Sequence, residues 1–237
     1  MEDNPNNPYQ PPGSDVEGPT PPVAGNARPP LPWEDRDNVG FFPALWQTMV
    51  LFLTNPVEAY ARARQSGDVA SPLIYGIILG WIGAVVGQLW SLVLPFSFLP
   101  FAGEDALPML GGAGFVAVLV IVFAPILIAI GLFISTCIYH VSVLVVGGRS
   151  TPGTFESTLR ALAYAYSTQP LAFVPIVGGI LAWIWALVLN VFGLSRMHGM
   201  SIGRAVLAVL LPIAVCCILV ILVISLTAGM AFLSSQS

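Results

Sequence analysis

Residues 205–233 read AVLAVLLPIAVCCILVILVISLTAGMAFL, a run without a single charged side chain. A helix needs ~20 mainly apolar residues to cross the hydrocarbon core of a bilayer, and this run exceeds that length. Four further apolar runs precede it, at about 73–94, 112–146, 159–174 and 176–194. The sequence therefore predicts an all-α membrane protein built around a five-helix transmembrane bundle.

The composition of the chain supports a membrane protein and excludes a soluble one. Only 8% of the residues are charged and 56% are hydrophobic, whereas roughly a quarter of the residues in soluble domains are charged. After Ser71 the acidic residues are Glu104, Asp105 and Glu156, and lysine is absent from the sequence. The net charge of -4 comes mostly from the N-terminal tail, so it gives no indication of a nucleic-acid partner.

The arginines predict the orientation of the bundle, because cytoplasmic segments of membrane proteins are enriched in basic residues. With five spans, a cytoplasmic N-terminus and an outside C-terminus, the outside segments carry Glu104 and Asp105 and no arginine. The inside segments then carry Arg28, Arg36, Arg62, Arg64, Arg149, Arg160, Arg196 and Arg204. Two spans within 112–146 would move arginines outside, so this run is predicted to be one span, kinked at Pro125.

Two segments precede the predicted five-span membrane domain at residues 71–237. Residues 1–40 are rich in Pro, Asn, Asp and Gly, and are predicted to form a disordered, Pro-rich cytoplasmic tail. Residues 29–33 of this tail (PPLPW) are interpreted as a solvated tether, with docking as a polyproline helix in an aromatic groove as the alternative. Residues 41–70 are predicted to form amphipathic interfacial helices. The second of these is expected to be capped by Asn55 and to end at Gly67.

Small and polar side chains inside the spans predict close packing between helices. The first span carries small residues at spacings of three and four, which let a neighbouring helix or a second copy approach closely: Gly76, Gly80, Gly83, Gly87 and Ser91. In the third and fourth spans, Ser167 or Tyr166 is predicted to hydrogen-bond Asn190. Together with Pro170, these residues either join the two helices or line a groove for a ligand or partner.

Catalysis and metal binding find little support in the sequence. His140, Ser167 and Asn190 allow an intramembrane serine hydrolase to be written, but no recognisable oxyanion loop or nucleophile turn accompanies them. The two histidines do not belong to a cluster of four ligands, which a structural zinc site needs. The three cysteines lie inside apolar runs: Cys137, Cys216 and Cys217. We therefore expect no enzymatic activity, no cofactor and no metal site.

Several short motifs occur in a fixed order along the chain. They are Trp46-Gln47-Thr48, Asn55-Pro56, Ser71-Pro72-Leu73, Gly147-Gly148, Phe155, Thr158, Tyr166-Ser167, Pro170, Trp183, Trp185, Gly193-Leu194, His198-Gly199 and Arg204-Ala205. From about Phe41 to the C-terminus, this arrangement resembles the Yip-one domain family, membrane proteins named for interacting with Ypt/Rab small GTPases. The resemblance implies a five-helix bundle with a cytoplasmic N-terminus, a role in membrane trafficking, and binding of prenylated Rab-type GTPases at the cytosolic face.

All Lys and Arg positions are arginine, and Ala, Gly and Pro are abundant. This composition favours a GC-rich bacterial genome. The expected location is then the bacterial inner membrane, or the Golgi or endoplasmic reticulum in a eukaryote. We expect a membrane scaffold that contacts the lipid bilayer and binds a small GTPase or another cytoplasmic protein. The residues predicted for this binding are Arg62, Arg64, Gly147, Gly148, Phe155, Thr158, His198 and Arg204.

Two other interpretations remain open at this stage. Contact of the same arginines with anionic lipid competes with protein binding. A small transporter or channel component is the alternative function. Its polar path would run through Gln88, Tyr166, Gln169 and Asn190.

Overall fold

The computed structural model describes residues 28–98, 106–147 and 153–234. The residues in these ranges are mostly helical and include no β-strand, so the predicted all-α class is confirmed. The α-helices are α1 (Arg36–Val39), α2 (Phe41–Thr54), α3 (Pro56–Arg62), α4 (Ala70–Phe98), α5 (Ala106–Gly147), α6 (Phe155–Ala165), α7 (Val177–Met197) and α8 (Ile202–Ser234). Residues Pro32–Asp35 and Tyr166–Phe173 form 3-10 helices.

Four of the described helices are long and apolar enough to cross a membrane: α4, α5, α7 and α8. They coincide with the first, second, fourth and fifth predicted spans. The second apolar run forms one helix that continues through Pro125, as predicted, and does not divide into two. Large apolar side chains of α5 and α8 are exposed along much of their length. These exposed faces are the surfaces that a bilayer would cover.

The predicted third span, 159–174, is wrong as a continuous α-helix. Helix α6 has 11 residues and is followed by a 3-10 helix of 8 residues. Pro170 lacks the N–H that would continue an α-helical ladder, and its ring disfavours the preceding turn. The Ser167 and Thr168 hydroxyls also donate to the carbonyls of Tyr164 and Ala165, at 2.7 and 3.1 Å. These side-chain bonds engage carbonyls that an α-helix would pair with backbone N–H groups.

Helix α6 and the 3-10 helix after it nevertheless run beside α4 in the same direction, along most of its length. The small residues of α4 allow this segment to pack closely against it, as the sequence predicted. Added Cβ atoms at Gly76, Gly80 and Gly83 would meet Ala163, Tyr166 and Gln169, respectively. Further along, Trp90 Nε1 donates to the Ala172 carbonyl at 3.1 Å. An added Cβ at Gly87 would meet nothing within 4 Å, so the stripe is not used over its whole length.

One end of the bundle, which we call the basic end, is where α4, α6 and α8 begin and α5 and α7 finish. Helices α2 and α3 join it, since Tyr60 on α3 donates to the Ala161 carbonyl of α6 at 2.8 Å. Gly193 on α7 lies against the Tyr60 ring, where an added Cβ would come within 2.8 Å of Cζ. The described arginines belong to segments that meet here: Arg28, Arg36, Arg62, Arg64, Arg160, Arg196 and Arg204.

The predicted helix pair between residues 41 and 70 is present as α2 and α3. Asn55 caps α3 as predicted, accepting the Glu58 N–H at 3.2 Å, and Pro56 is the first helical residue. Helix α3 ends at Arg62, earlier than the predicted Gly67, because Ala63 adopts an extended conformation (φ -63°, ψ 137°). The position of these helices at a membrane surface stays a prediction.

The predicted disordered tail is wrong for the part of it that the structure describes. Residues 1–27 lie outside the described residues. From residue 31 onwards the chain forms the 3-10 helix Pro32–Asp35 and then α1, and both Leu31 and Trp33 are fully buried. The burial of a tryptophan against the bundle supplies the apolar contact that a disordered segment lacks.

Candidate functional site

At the basic end, the N-terminal segment docks into an aromatic groove of its own chain. The Trp33 N–H donates to Thr48 Oγ1 at 2.8 Å, and its Nε1 donates to the Ser71 carbonyl at 2.7 Å. Its ring lies against Phe41 and Tyr75, with centroids 5.3 and 5.5 Å apart. The PPLPW stretch therefore docks within its own chain, and the tether interpretation is wrong at Leu31 and Trp33.

Glu34, beside Trp33, brings a carboxylate into this end of the bundle. Its side chain is 2% exposed. The carboxylate accepts the backbone N–H of Arg64 at 3.0 Å and the Tyr164 hydroxyl at 2.7 Å, and Arg64 Nε lies 3.8 Å away. A buried carboxylate needs such donors to compensate for lost hydration. Arg64, predicted as a partner-binding residue, therefore holds the N-terminal segment in place.

Arg160 is a fully buried cation near the start of α6. One of its nitrogens donates to the Gly67 carbonyl at 2.7 Å, whereas Nε and the other terminal nitrogen have no partner among the described residues. Arg160 and Tyr164 are four residues apart, so they share one face of α6. Tyr164 bonds Glu34, so the guanidinium and the Glu34 carboxylate lie on the same side of this helix.

Two histidines at the basic end share one hydroxyl group. His140 Nδ1 lies 3.0 Å from Thr158 Oγ1, and His198 Nε2 lies 2.9 Å from the same oxygen. Burial, and to a lesser extent the nearby His140, lower the pKa of His198 to about 4. Thr158 and His198, predicted to belong to a docking surface, are fully buried and link α5, α6 and the connection after α7.

The Gly147 to Thr158 region is only partly described. Gly147 ends α5, and Gly148 lies outside the described residues. Phe155 opens α6 and contacts the rings of Phe133 and His140, with centroids 5.6 and 5.7 Å apart. Gly153 lies against His198, where a Cβ would collide with the Nδ1 edge of the ring. Phe155, Thr158 and His198 therefore come together as an internal cluster.

A groove of about 350 Å³ opens at the basic end between α3 and the connection from α7 to α8. It is lined by Val57, Tyr60, Phe192, Ser195, Arg196, Gly199, Met200 and Ile202. Arg196 and Arg204 are exposed here, and neither forms an ion pair within the described part of the chain. Arg62 instead pairs with Glu58 at 2.9 Å. The free positive charge of this surface therefore comes from the α7–α8 region.

A second cavity, of about 250 Å³, lies deeper in the bundle, between α5, α7 and the segment from α6 through the 3-10 helix. Tyr166, Gln169 and Asn190 line it, as the polar path of the sequence analysis required, but Gln88 does not. Pro170 lines a different, apolar groove beside Trp46.

The predicted bond from Ser167 to Asn190 is wrong. Ser167 faces α4, where its hydroxyl lies 2.7 Å from that of Tyr75. The other predicted donor, Tyr166, shares the cavity with Asn190, but no hydrogen bond joins them in the described structure. The hydrolase arrangement is likewise not assembled, since His140 bonds Thr158 and Ser167 bonds Tyr75.

Glu34 was not predicted to belong to the basic end. Trp33 entered only through the alternative interpretation of the PPLPW stretch. Arg160 was predicted to lie inside with the other arginines, but its burial was not predicted. For Trp33 and Glu34 a signal was present. The tail is poor in aliphatic and aromatic residues except at Leu31-Pro32-Trp33, and an isolated apolar motif in such a tail is typical of a docking segment. Arg160 gave no such signal, because its burial depends on Gly67, 93 residues away.

Comparison with known proteins identifies the family. A family model described as the Yip1 domain matches residues 50–224, from α2 to α8. Comparisons with curated proteins and with solved structures give no match. The family resemblance predicted from the ordered motifs is therefore confirmed over most of the chain. The matched range, together with the four apolar helices long enough to cross a membrane, shows that the chain belongs to the Yip1 domain family of membrane proteins.

Proposed function

We propose that this protein is a non-enzymatic membrane scaffold whose basic end binds a cytoplasmic protein. The observation that carries the proposal is the groove between α3 and the α7–α8 connection. It combines apolar lining, at Val57, Phe192 and Ile202, with an unpaired cation at Arg196. An apolar centre with a charged rim is the usual anatomy of a protein interface. The groove therefore suits an acidic partner that presents an apolar side chain.

We further propose that the chain crosses the membrane five times, with α6 and the following 3-10 helix forming the third crossing. At 1.5 and 2.0 Å per residue, these segments together extend roughly 32 Å, close to the ~30 Å hydrocarbon core. Their course beside α4, from Gly76 to Trp90, supports this interpretation. With five crossings, the positive-inside rule favours a cytoplasmic basic end and N-terminus, and an outside C-terminus.

The class of partner comes from the family resemblance. It implies a small GTPase and a role in membrane trafficking, and the composition favours a bacterial inner membrane as the location. Other acidic cytoplasmic proteins fit the groove on the same grounds, so the partner has to be identified without choosing it beforehand.

Proximity labelling from the N-terminus in cells, followed by mass spectrometry, tests the proposal. The double variant Arg196→Glu/Arg204→Glu should remove the specific partner, because charge reversal turns attraction into repulsion. The matched control Arg196→Lys/Arg204→Lys keeps both charges and should retain it. If both variants give the same labelled proteins as the wild type, protein binding at the groove is wrong.

Anionic lipid is the competing occupant of the same surface. Binding of the purified wild type and of the Glu double variant to vesicles with and without anionic lipid separates the two interpretations. A large loss of vesicle binding together with unchanged protein labelling would assign the arginines to lipid.

Transport is the second candidate function, favoured by the deep cavity that Tyr166, Gln169 and Asn190 line. Gln88 lies outside this cavity and is bonded to Ser91 at 3.1 Å, so the proposed path is shorter than the sequence indicated. Solute flux into vesicles containing the purified protein would support transport. Flux equal to that of protein-free vesicles would argue against it.

A further inference from the structure

The cavity between α5, the α6 segment and α7 collects neutral polar side chains at a depth where a bilayer offers them no partners. Its polar lining comes from Ser135, Tyr139, Tyr166, Gln169 and Asn190. Counting the helical rise from Met197, where α7 ends, Asn190 and Trp183 lie roughly 10 and 20 Å below the basic end. The cavity therefore lies within the hydrocarbon thickness of the proposed bundle.

The polar atoms of this cavity are not satisfied by the protein. Asn190 Oδ1 is buried and has no hydrogen-bond partner in the described structure. The side chains of Tyr139, Tyr166 and Gln169 also make no hydrogen bond to another described residue. In hydrocarbon, a polar group without a partner is costly. The cavity therefore favours an occupant that can both donate and accept hydrogen bonds.

The chemistry of the lining restricts what that occupant can be. No lining residue is charged, so a phosphate, an ammonium or a zwitterionic headgroup would lose its hydration without gaining a counter-charge. Phenol, hydroxyl and amide groups both donate and accept, which suits hydroxyl groups of the ligand. The volume of about 250 Å³ equals roughly eight water molecules at ~30 Å³ each, which is enough for a glyceryl group.

The rim of the cavity suggests where such a group comes from. Trp183 lines the cavity, yet 60% of its surface is exposed on the outer side of α7. A headgroup seated beside Asn190 could therefore leave its acyl chains on the lipid side of Trp183.

We propose that this cavity binds the uncharged glyceryl headgroup of diacylglycerol, which carries one free hydroxyl and two ester carbonyls. The Asn190 amide bonds the free hydroxyl, and the Tyr166 phenol and the Gln169 amide N–H donate to the ester carbonyls. This binding is separate from the basic-end groove, so its failure would leave the proposed protein interaction untouched.

Photocrosslinking of the full-length protein in lipid nanodiscs tests the proposal. Each sample contains a trace of photoactivatable diacylglycerol or of photoactivatable phosphatidylcholine, with the same acyl chains. Labelling by diacylglycerol should exceed labelling by phosphatidylcholine at least tenfold, and should map to the cavity-lining parts of α5 and α7. Asn190→Leu and Gln169→Leu should each lower it about tenfold, equivalent to about 1.4 kcal/mol.

Two further variants keep the test decisive if the leucine substitutions disturb folding. Tyr166→Phe keeps the ring that lies against Gly80 and removes only the hydroxyl, so it should still lower labelling several-fold. Gln88→Leu, on α4 and outside the cavity, should leave labelling unchanged.

A parallel arm measures glycerol entry into vesicles containing the purified protein. Glycerol flux that Asn190→Leu abolishes, without any preference for diacylglycerol, would assign the same hydroxyl-binding chemistry to a free solute. Equal labelling by both lipids together with no glycerol flux would overturn the proposal and leave a cavity filled by water.

Discussion

The Thr158 hydroxyl lies between two imidazole rings, and its single proton restricts both of them. It can donate to His140 or to His198 and must then accept an N–H from the other ring, so the two tautomers are coupled. Protonation of His198 would place a positive charge on a fully buried ring. The cluster is therefore expected to be most stable while both rings are neutral.

The pKa of His198 makes this a pH-dependent contribution. Its folded pKa of about 4 lies below the usual 6.5, so the stabilisation is present above pH 6.5 and is lost as the pH falls towards 4. Between pH 7.5 and pH 5, the free energy of unfolding should fall by about 2 kcal/mol. Thermal unfolding of the detergent-solubilised protein at both pH values measures it. His198→Gln, which does not titrate, should show a smaller difference, and an unchanged difference would contradict this assignment.

Trp33 and Trp46 offer a matched pair of aromatic residues, one fully buried and one 64% exposed. Trp33→Ala should lower the free energy of unfolding by about 3–5 kcal/mol, because it leaves a large buried cavity. It should also expose the segment around residues 31–36 to protease. Trp46→Ala is expected to cost far less in detergent. Equal melting temperatures for the two variants would show that the N-terminal segment is not docked.

The glycines of α4 show at the level of elements how one helix accommodates a broken neighbour. Gly80→Val should destabilise the bundle by about 1–3 kcal/mol through overpacking, since an added Cβ lies 2.9 Å from the Tyr166 ring and 3.0 Å from Ile128. Gly87→Val should be nearly neutral, because an added Cβ at this position of the same stripe meets nothing within 4 Å. Chemical unfolding of the two variants compares them directly, and a similar cost for both would contradict the described packing.

The predictability of each element follows from the range of the forces that form it. Helices α4, α5, α7 and α8 could be predicted because the hydropathy of a continuous run is sufficient. The third segment could not, because Pro170 and the Ser167 and Thr168 hydroxyls interrupt a run whose composition is still apolar. The docking of Trp33 depends on Thr48 and Ser71, 15 and 38 residues away.

The candidate site was predictable to a similar degree. Tyr166, Gln169 and Asn190 were expected to meet, and they line one cavity. Ser167 was expected on that side too, but a 3-10 helix has 3.0 residues per turn instead of 3.6. The change of pitch turns successive side chains to other faces, and Ser167 faces Tyr75 on α4. A sequence periodicity based on α-helix geometry cannot anticipate this.

The membrane topology of the whole molecule depends on whether α6 and its 3-10 helix cross the membrane. If they cross, then Thr154, just before α6, lies on the opposite side from Ile176, just before α7. In a background with the three native cysteines replaced, Thr154→Cys should react with an impermeant maleimide only from the cytoplasmic side. Ile176→Cys should react only from the outside. Labelling of both from the same side would show that the third segment does not cross.

Docking of Trp33 in its own chain also sets a threshold for anything that would take its place. A segment joined to its groove by a short linker competes at an effective concentration on the order of millimolar. A free peptide with the same PPLPW motif would have to bind well below that concentration to displace it, and weak ligands would be excluded. The aromatic groove formed with Phe41 and Tyr75 thus discriminates by affinity before any side chain of a competitor is recognised.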